Sequence, residues 1–277
     1  LAKGGGNLQL MKAESPGPDV EKLVPKSKST ARILYGIYVI MTIVQILLLR
    51  CGGLSFFEST TLSFGTAGTG GFAIVNSSIA DYSLYTQIII GVFMMLFGIN
   101  FNFYFLLFCG KLKAAFRNVE VKSYIGIMAT SIILIALNIR HMFGSFFEAL
   151  HQSAFQVSSV MTTTGYATTD FDKWPVFSRT VMLIVMCVGA CAGSTGGGFK
   201  VSRIVILAKS AKRELKRLAH PRSVSVITMD GKRISDEVVT GTNVFFFIYV
   251  VVFVVSLLIV SIDGKDMVTN ISGVIAT

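Results

Sequence analysis

Two stretches of this chain place polar backbone among apolar neighbours. Thr162-Thr163-Thr164-Gly165, followed by Tyr166, offers three hydroxyls and a row of carbonyls with no charge. Gly189-Ala-Cys-Ala-Gly-Ser-Thr-Gly-Gly-Gly-Phe-Lys200 offers backbone with almost no side chain. A row of carbonyl and hydroxyl oxygens can replace the water around a small cation. Glycine permits the unusual dihedrals that such a row requires. The alternative is a Thr/Gly-rich turn without a ligand, and a single copy would leave that alternative ahead. A second copy, Ala67-Gly68-Thr69-Gly70, puts the ligand reading ahead.

Both copies follow the same tetrapeptide. Ser55-Phe-Phe-Glu58 precedes Thr69-Gly70, and Ser145-Phe-Phe-Glu148 precedes Thr164-Gly165, with spacings of 90 and 95 residues between copies. Ser-x-x-Glu before an apolar run is a capping box: the serine oxygen accepts from a backbone N–H and the glutamate reaches back. Each box predicts a short helix whose C-terminus faces the Thr-Gly stretch, where partial negative charge favours a cation. In the other reading, Glu58 and Glu148 are themselves ion ligands at a mouth.

The glycine stretch invites comparison with a phosphate loop. A Walker A motif needs Gly-Lys-Ser/Thr contiguous, whereas Phe199 separates Gly198 from Lys200, and an apolar run precedes the loop. Nucleotide binding here is therefore disfavoured. Gly193 and Gly196–Gly198 are poor helix residues and predict a break in a hydrophobic helix. Gly193, Ser194, Thr195, Gly196, Gly197 and Gly198 then form a mobile loop able to obstruct a path. Close helix packing through small residues is the structural alternative. Lys200 and Arg203 either assist such a loop or anchor their helix by snorkelling.

The surrounding elements are those of a membrane. Of 277 residues, 52% are hydrophobic and 14% charged, with a mean hydropathy of +0.67. Uncharged runs cover Ile33–Leu49, Tyr82–Gly110, Ser123–Ile139, Thr180–Phe199 and Val238–Ile262. A spanning helix needs about 20 such residues. Net charge is +10, and 20 of the 25 basic residues lie in Leu1–Arg32, Lys111–Lys122 and Lys200–Glu237. These segments alternate with the runs as cytoplasmic loops do. The basic charge thus reports orientation, and nucleic acid is not an expected partner.

With the basic loops inside, Leu54–Ile79 and Phe143–Ala167 must enter and leave on the outer side as re-entrant loops. Non-helical backbone at that depth requires a cavity. The pattern helix, re-entrant loop, helix is written twice, and Asp263–Thr277 reads as the start of a third copy. A repeat that cannot close a cavity alone implies stacking around an axis. The fold expected is an all-α polytopic membrane protein of repeated helix–pore loop–helix units. The organisation read is a linker over 1–32, one unit over 33–112 (pore loop 54–79), another over 113–237, and the start of a further unit over 238–277. Within 113–237 lie a pore loop at 143–167, the glycine loop at 189–199 and a basic stretch at 200–237.

No enzyme chemistry is visible. Cys187 and Cys191 stand one helical turn apart without a His or acid to complete a metal site, so small buried hydrophobes is the favoured reading. His141, His151 and His220 have no nucleophile–base partner, and no HExxH or GxSxG occurs. The chain starts at Leu1 without methionine or a signal peptide, which reads as an internal piece of a longer protein.

The stretches AESPGPDVEKLVPK (Ala13–Lys26), MTTTGYATTDFDKWP (Met161–Pro175) and GACAGSTGGGFKVSRI (Gly189–Ile204), with the paired Thr-Gly loops, resemble the Trk/Ktr/HKT superfamily of potassium transporters, and most closely the bacterial Trk-type membrane subunit. The resemblance extends over nearly the whole chain. It implies four repeats forming a pseudo-tetrameric, potassium-channel-like pore in the cytoplasmic (inner) membrane, of which this chain would hold repeats two and three and the beginning of repeat four. It implies a selectivity filter at Ala67, Gly68, Thr69, Gly70, Thr162, Thr163, Thr164 and Gly165, where potassium is the only metal bound. Gly70 and Gly165 fit the glycine associated in the superfamily with potassium rather than sodium, while Ala67-Gly68 departs from the fuller threonine row. The loop Gly193–Gly198 with Lys200 corresponds to the family's intramembrane gate. A homodimer and a cytosolic, TrkA-like nucleotide-binding regulatory subunit are implied partners beside the bilayer, with no covalent cofactor. The alternatives are a coupled secondary transporter of another small solute and a Na/K-permeable member of the same superfamily.

Overall fold

The structure is a computed structural model that describes residues 27–220 and 226–276. The stretch Ala13–Lys26 lies outside the described residues, as does the linker read over 1–32 up to residue 26; its last six residues are helical and open α1. The described residues form two compact units, 27–200 and 201–276.

In the first unit, α1 (Ser27–Cys51) carries the run Ile33–Leu49 and stops at Gly52-Gly53, where Gly53 takes a φ of +91°. A short helix α2 (Phe56–Ala67) follows, then an extended loop, then α3 (Leu84–Phe97), capped by the Ser83 hydroxyl. The run Tyr82–Gly110 reads in sequence as one span, but it is not straight. α3 ends at Gly98, and α4 (Phe101–Phe108) departs at 90°. The bend is stabilised from both sides. Asn100 Oδ1 accepts from Asn102 N–H at 2.9 Å, capping α4, and Tyr104 donates across the corner to Leu96 O at 2.6 Å. A Cβ at Gly98 would lie 2.3 Å from the Tyr124 hydroxyl and 2.8 Å from a Thr162 methyl, so only glycine fits at this corner.

After α5 (Leu112–Arg117), α6 (Val119–Ile139) begins at the Asn118 side chain, which accepts from Val121 N–H at 2.9 Å. A 3-10 turn leads to α7 (Phe146–Met161), and Pro175 introduces α8 (Val176–Val188). The run Thr180–Phe199, expected to span, thus holds helix only to Val188. The glycine-rich remainder leaves helical geometry, as its composition predicts.

In lipid, helices gain little from leaving water, and packing with interhelical hydrogen bonds holds them together. The central cluster joins Leu49, Leu54, Leu62, Ile90, Met94, Phe155 and Tyr166 from α1, α2, α3, α7 and the loops between them. Some polar side chains inside this unit bond between elements: Gln45 donates to Thr66 Oγ1 at 2.9 Å, and His151 bonds Gln87 at 2.8 Å, whereas the buried hydroxyls of Ser59, Thr60 and Ser63 in α2 have no partner among the described residues.

The second unit contains α9 (Val201–Ala219), α10 (Asp236–Ser261) and α11 (Met267–Ala276). It also contains a hairpin that the all-α expectation lacks: β1 (Thr228–Met229) and β2 (Lys232–Arg233), joined by Asp230-Gly231 with positive φ at both residues. Asp-Gly suits the tight turn that two short strands need. Ile206, Ile227, Met229, Ile234 and Val239 form its core. None of the most apolar stretch of α10 is buried within the protein, as for a helix facing lipid. Three described helices are long and apolar enough to cross a membrane, or four with the bent α3–α4 pair counted as one.

Candidate functional site

The site is built where α2 and α7 end. The capping boxes expected from Ser-x-x-Glu differ in one arm. At α2, Ser55 Oγ accepts from Glu58 N–H at 3.2 Å and Glu58 Oε2 accepts from Ser55 N–H at 2.9 Å, a complete box. At α7, Ser145 Oγ accepts from Glu148 N–H at 3.1 Å, but Glu148 turns to Gly144 N–H at 3.2 Å. The extended backbone of Ser145 (φ −147°) shifts the reciprocal bond one residue back. Both hydrogen bonds to Ser55 lower the pKa of the Glu58 carboxyl, the side-chain one most.

The C-termini of the two helices are alike in detail. In α2, Thr69 N–H donates to Thr66 O and Gly70 N–H to Gly65 O, at 3.1 and 2.9 Å. In α7, Thr163 N–H donates to Val160 O and Thr164 N–H to Ser159 O, at 3.1 and 2.8 Å. These are the two bonds of a Schellman motif, whose turning residue is left-handed and usually glycine. Here it is threonine both times, Thr69 at φ +50° and Thr163 at φ +58°. A β-branched residue in that region costs roughly 1–2 kcal/mol. Such strain persists only where surrounding structure holds it, and it gathers at functional sites.

This geometry corrects the pairing read from sequence. Matching Thr-Gly to Thr-Gly pairs Gly70 with Gly165, 95 residues apart. The backbone pairs Thr69 with Thr163, and Gly71 (φ +63°) with Gly165 (φ +90°), 94 residues apart. Ala67 is the last residue of α2, and the four loop residues are Gly68–Gly71. Letters misled because Gly70-Gly71 offers two candidates for one role.

The two loops also touch. A Cβ on Gly71 would lie 2.0 Å from the Thr164 carbonyl oxygen. Tyr166, 1% exposed, occupies the space over Gly65 and donates to Leu62 O at 3.1 Å. Beyond the glycines, Ile79 N–H donates to Ala167 O at 3.0 Å, and Ala167 N–H donates to Ser78 Oγ at 3.1 Å. Within the second loop, the Thr162 and Thr164 hydroxyls bond each other at 2.8 Å.

The glycine loop lies directly against both threonines. Thr69 Oγ1 donates to Thr195 O at 3.1 Å, and Gly197 N–H donates to Thr163 Oγ1 at 2.7 Å. The hydroxyls that accompany the strained backbone are therefore the ones in contact with this loop, which explains why glycine does not serve there. Gly196 stacks under Thr162, whose carbonyl would lie 3.0 Å from a Cβ. Gly189, Gly193 and Gly198 take positive φ, and Gly189 packs on Gly198 backbone to backbone. Ala190 N–H donates to Gly197 O, and the Lys200 ammonium donates to Gly196 O, closing the loop on itself.

The far end of the loop meets residues that sequence reading passed over. The carbonyls freed by the α3–α4 bend accept from it: Cys191 N–H to Gly98 O at 3.1 Å, and Thr195 to Phe97 O. Glu120, grouped in sequence with the basic segment Lys111–Lys122, is 3% exposed, and its Oε1 accepts from Ala192 N–H at 2.6 Å. A lone acid among four bases was the available signal. In the second unit, Lys209, Lys212, Arg213 and Lys216 of α9 line a cavity of about 330 Å³ with Val226–Thr228. No group of three His, Cys, Asp or Glu side chains suited to a metal ion occurs among the described residues.

Known proteins resemble this chain in sequence and in fold. A protein-family model described as the cation transport protein TrkH matches residues 2–277. The Trk system potassium uptake proteins TrkH of Salmonella typhimurium and of Escherichia coli K12 are each 36% identical to the chain over 279 residues, covering 99% of it and 58% of theirs. TrkG of Escherichia coli K12 is 31% identical over 281 residues. The crystal structure of the potassium transporter TrkH from Vibrio parahaemolyticus superposes with a TM-score of 0.86 at 33% identity, over 98% of this chain and 59% of that one. The chain thus spans about 58% of the length of these curated relatives.

Proposed function

This chain belongs to the TrkH cation transport family and is a multi-pass membrane protein, and from that premise we propose that it supplies two adjacent walls of a potassium-conducting pore. The filter residues are Gly68, Thr69, Gly70 and Gly71 in one wall and Thr162, Thr163, Thr164 and Gly165 in the other. Their carbonyls stand in for the hydration shell of the ion, and the C-termini of α2 and α7 favour its charge. Gly193–Gly198, closed by Lys200, is the gate beneath the filter. The observation that carries the reading is the bonding of this loop to both left-handed threonines, Thr69 and Thr163. A segment of nearly bare backbone is seated where the ion would leave the two loops.

The basic helix α9 faces anionic lipid or a cytosolic nucleotide-binding subunit. The whole protein works as a homodimer of pseudo-tetrameric pores. Potassium is the transported ion, and any regulatory nucleotide sits on the partner. The test is potassium-dependent growth of an uptake-deficient bacterium expressing the full-length protein. Gly71→Ser and Gly165→Ser are expected to lower potassium uptake and relax its preference over sodium. Unchanged uptake and preference in both variants would remove the filter assignment.

A further inference from the structure

We propose that Glu120 is a positioning residue that clamps the first half of the glycine loop, Ala190–Gly193, to the α3–α4 bend, and that through this half it holds the stretch from Ser194 to Gly198, which bonds back to it. The functional meaning of the clamp rests on the gate reading above; the clamp itself rests on geometry alone.

Three elements meet at this carboxylate. Glu120 lies in the first turn of α6, where the helix N-terminus favours a negative charge. Its Oε1 accepts from Ala192 N–H in the loop at 2.6 Å, and its Oε2 accepts from Asn100 Nδ2 in the bend at 3.3 Å. Asn100 cannot turn its amide over without loss, because its Oδ1 already caps α4 through Asn102 N–H. Two more bonds fasten the same half of the loop to the bend, Cys191 N–H to Gly98 O and Phe101 N–H to Gly193 O. Gly193 then turns the chain with a φ of +70°. Past that turn, the loop's bonds to other elements are the Thr69 and Thr163 hydroxyls and bonds of 3.3 and 3.4 Å from Thr195 to Phe97 O, while Ser194 Oγ to Cys191 O at 2.6 Å, Ala190 N–H to Gly197 O at 3.3 Å and the Lys200 ammonium to Gly196 O tie it back within the loop.

Only a carboxylate answers both donors. A buried charge without partners is costly, and hydrogen bonds to an ionised acceptor are about twice as strong as neutral ones. Glutamine at this position would set an amide N–H against one of the two donors. Exchanging the partners, Glu120→Gln with Asn100→Asp, restores a complementary set: the new amide donates to the new carboxylate, which still caps α4.

The experiment uses the full-length protein with every cysteine except Cys191 replaced. Cys191 sits inside the clamped half and is fully buried. A charged methanethiosulfonate reports its exposure by mass shift, and rubidium uptake is measured on the same variants. Glu120→Ala and Glu120→Gln are expected to label about tenfold faster than the parent, as opening of a clamped segment predicts. The exchange pair is expected to return labelling to within about twofold of the parent, as restored pairing implies. Unchanged labelling in Glu120→Gln overturns the clamp, and so does an exchange pair that labels as fast as Glu120→Gln alone. Where Glu120→Ala fails to accumulate, Glu120→Gln and the exchange pair decide the question. Faster labelling with unchanged rubidium uptake upholds the clamp and overturns the gate reading instead.

Discussion

The two Thr-Gly loops proposed as filter walls share one backbone and achieve it with different residues. The loop after α7 is threonine-rich and braces itself, since the Thr162 and Thr164 hydroxyls bond each other and the Thr163 hydroxyl bonds the Thr162 carbonyl. The loop after α2 is glycine-rich and keeps only the second of these, Thr69 Oγ1 donating to the Gly68 carbonyl at 2.8 Å. Gly71 instead lies flat against the Thr164 carbonyl, and Gly65 lies under Tyr166. One wall is stiff by its own side chains; the other is held by lying against the first. What both retain is the left-handed threonine. The position under strongest constraint is therefore the one that reaches the glycine loop, not the one with the most oxygen atoms.

The largest effect expected follows from the leaning wall. Gly71→Ala adds a methyl against the Thr164 backbone at a left-handed position and should reduce potassium uptake at least tenfold, in line with severe overpacking. Gly70→Ala meets only the Phe72 ring at 3.1 Å, outside the left-handed region, and should retain much more activity. The reverse ranking in a rubidium uptake assay would restore the Thr69-Gly70 pairing and break the comparison. Next is Thr163→Gly, which relieves roughly 1–2 kcal/mol of strain but removes a bond to Gly197 worth about 1 kcal/mol. Thermal stability should change little while resting flux rises severalfold, and Thr163→Ser should keep flux near the parent value. A Thr163→Gly protein with parental flux would separate the threonine from the proposed gate.

Thr164→Val tests the braced wall alone. Losing its hydroxyl leaves Thr162 without that partner and should cost about 1 kcal/mol in a detergent melting experiment. The smallest effect lies at the caps. Ser55→Ala should cost about 1 kcal/mol or less, as exposed caps do. Because Glu58 has its pKa lowered by Ser55, the cap contributes stability above the usual glutamate value and loses it as pH falls through the lowered one. Asp266, lowered by its bonds to Thr269, behaves in the same direction at the start of α11. Melting followed from pH 6 down to about pH 3 should therefore show the Ser55→Ala penalty shrinking; a constant penalty would mean that the serine alone carries the cap.

The spans over Ile33–Leu49, Ser123–Ile139 and Val238–Ile262 could be read because hydropathy needs no partner. The starts of α2 and α7 could be read because a capping box is local. The glycine break after Val188 was equally plain. The bend at Gly98–Asn100 was not, since one glycine and one asparagine in an apolar run are a weak signal. The corner is imposed by Tyr124 and Thr162, distant in sequence. Glu120 was missed for the same reason. Its role depends on Ala192, 72 residues later, and only burial distinguishes it from a surface acid.

The bonds between Ile79 and Ala167 and between Ser78 and Ala167 bear on how the protein is made. The ribosome releases the glycine-rich wall nearly a hundred residues before the wall that supports it. Until Ala167 has entered the membrane, the segment from Gly68 to Ile79 lacks the neighbour that holds its strained turn. Nascent chains halted before Thr164 are predicted to stay open to protease between Gly70 and Asn76, and chains halted well past Ala167 to be protected. Early protection would show that the first wall matures unaided. On this account the order of synthesis matches the order of dependence: the braced wall arrives second and completes the one already waiting.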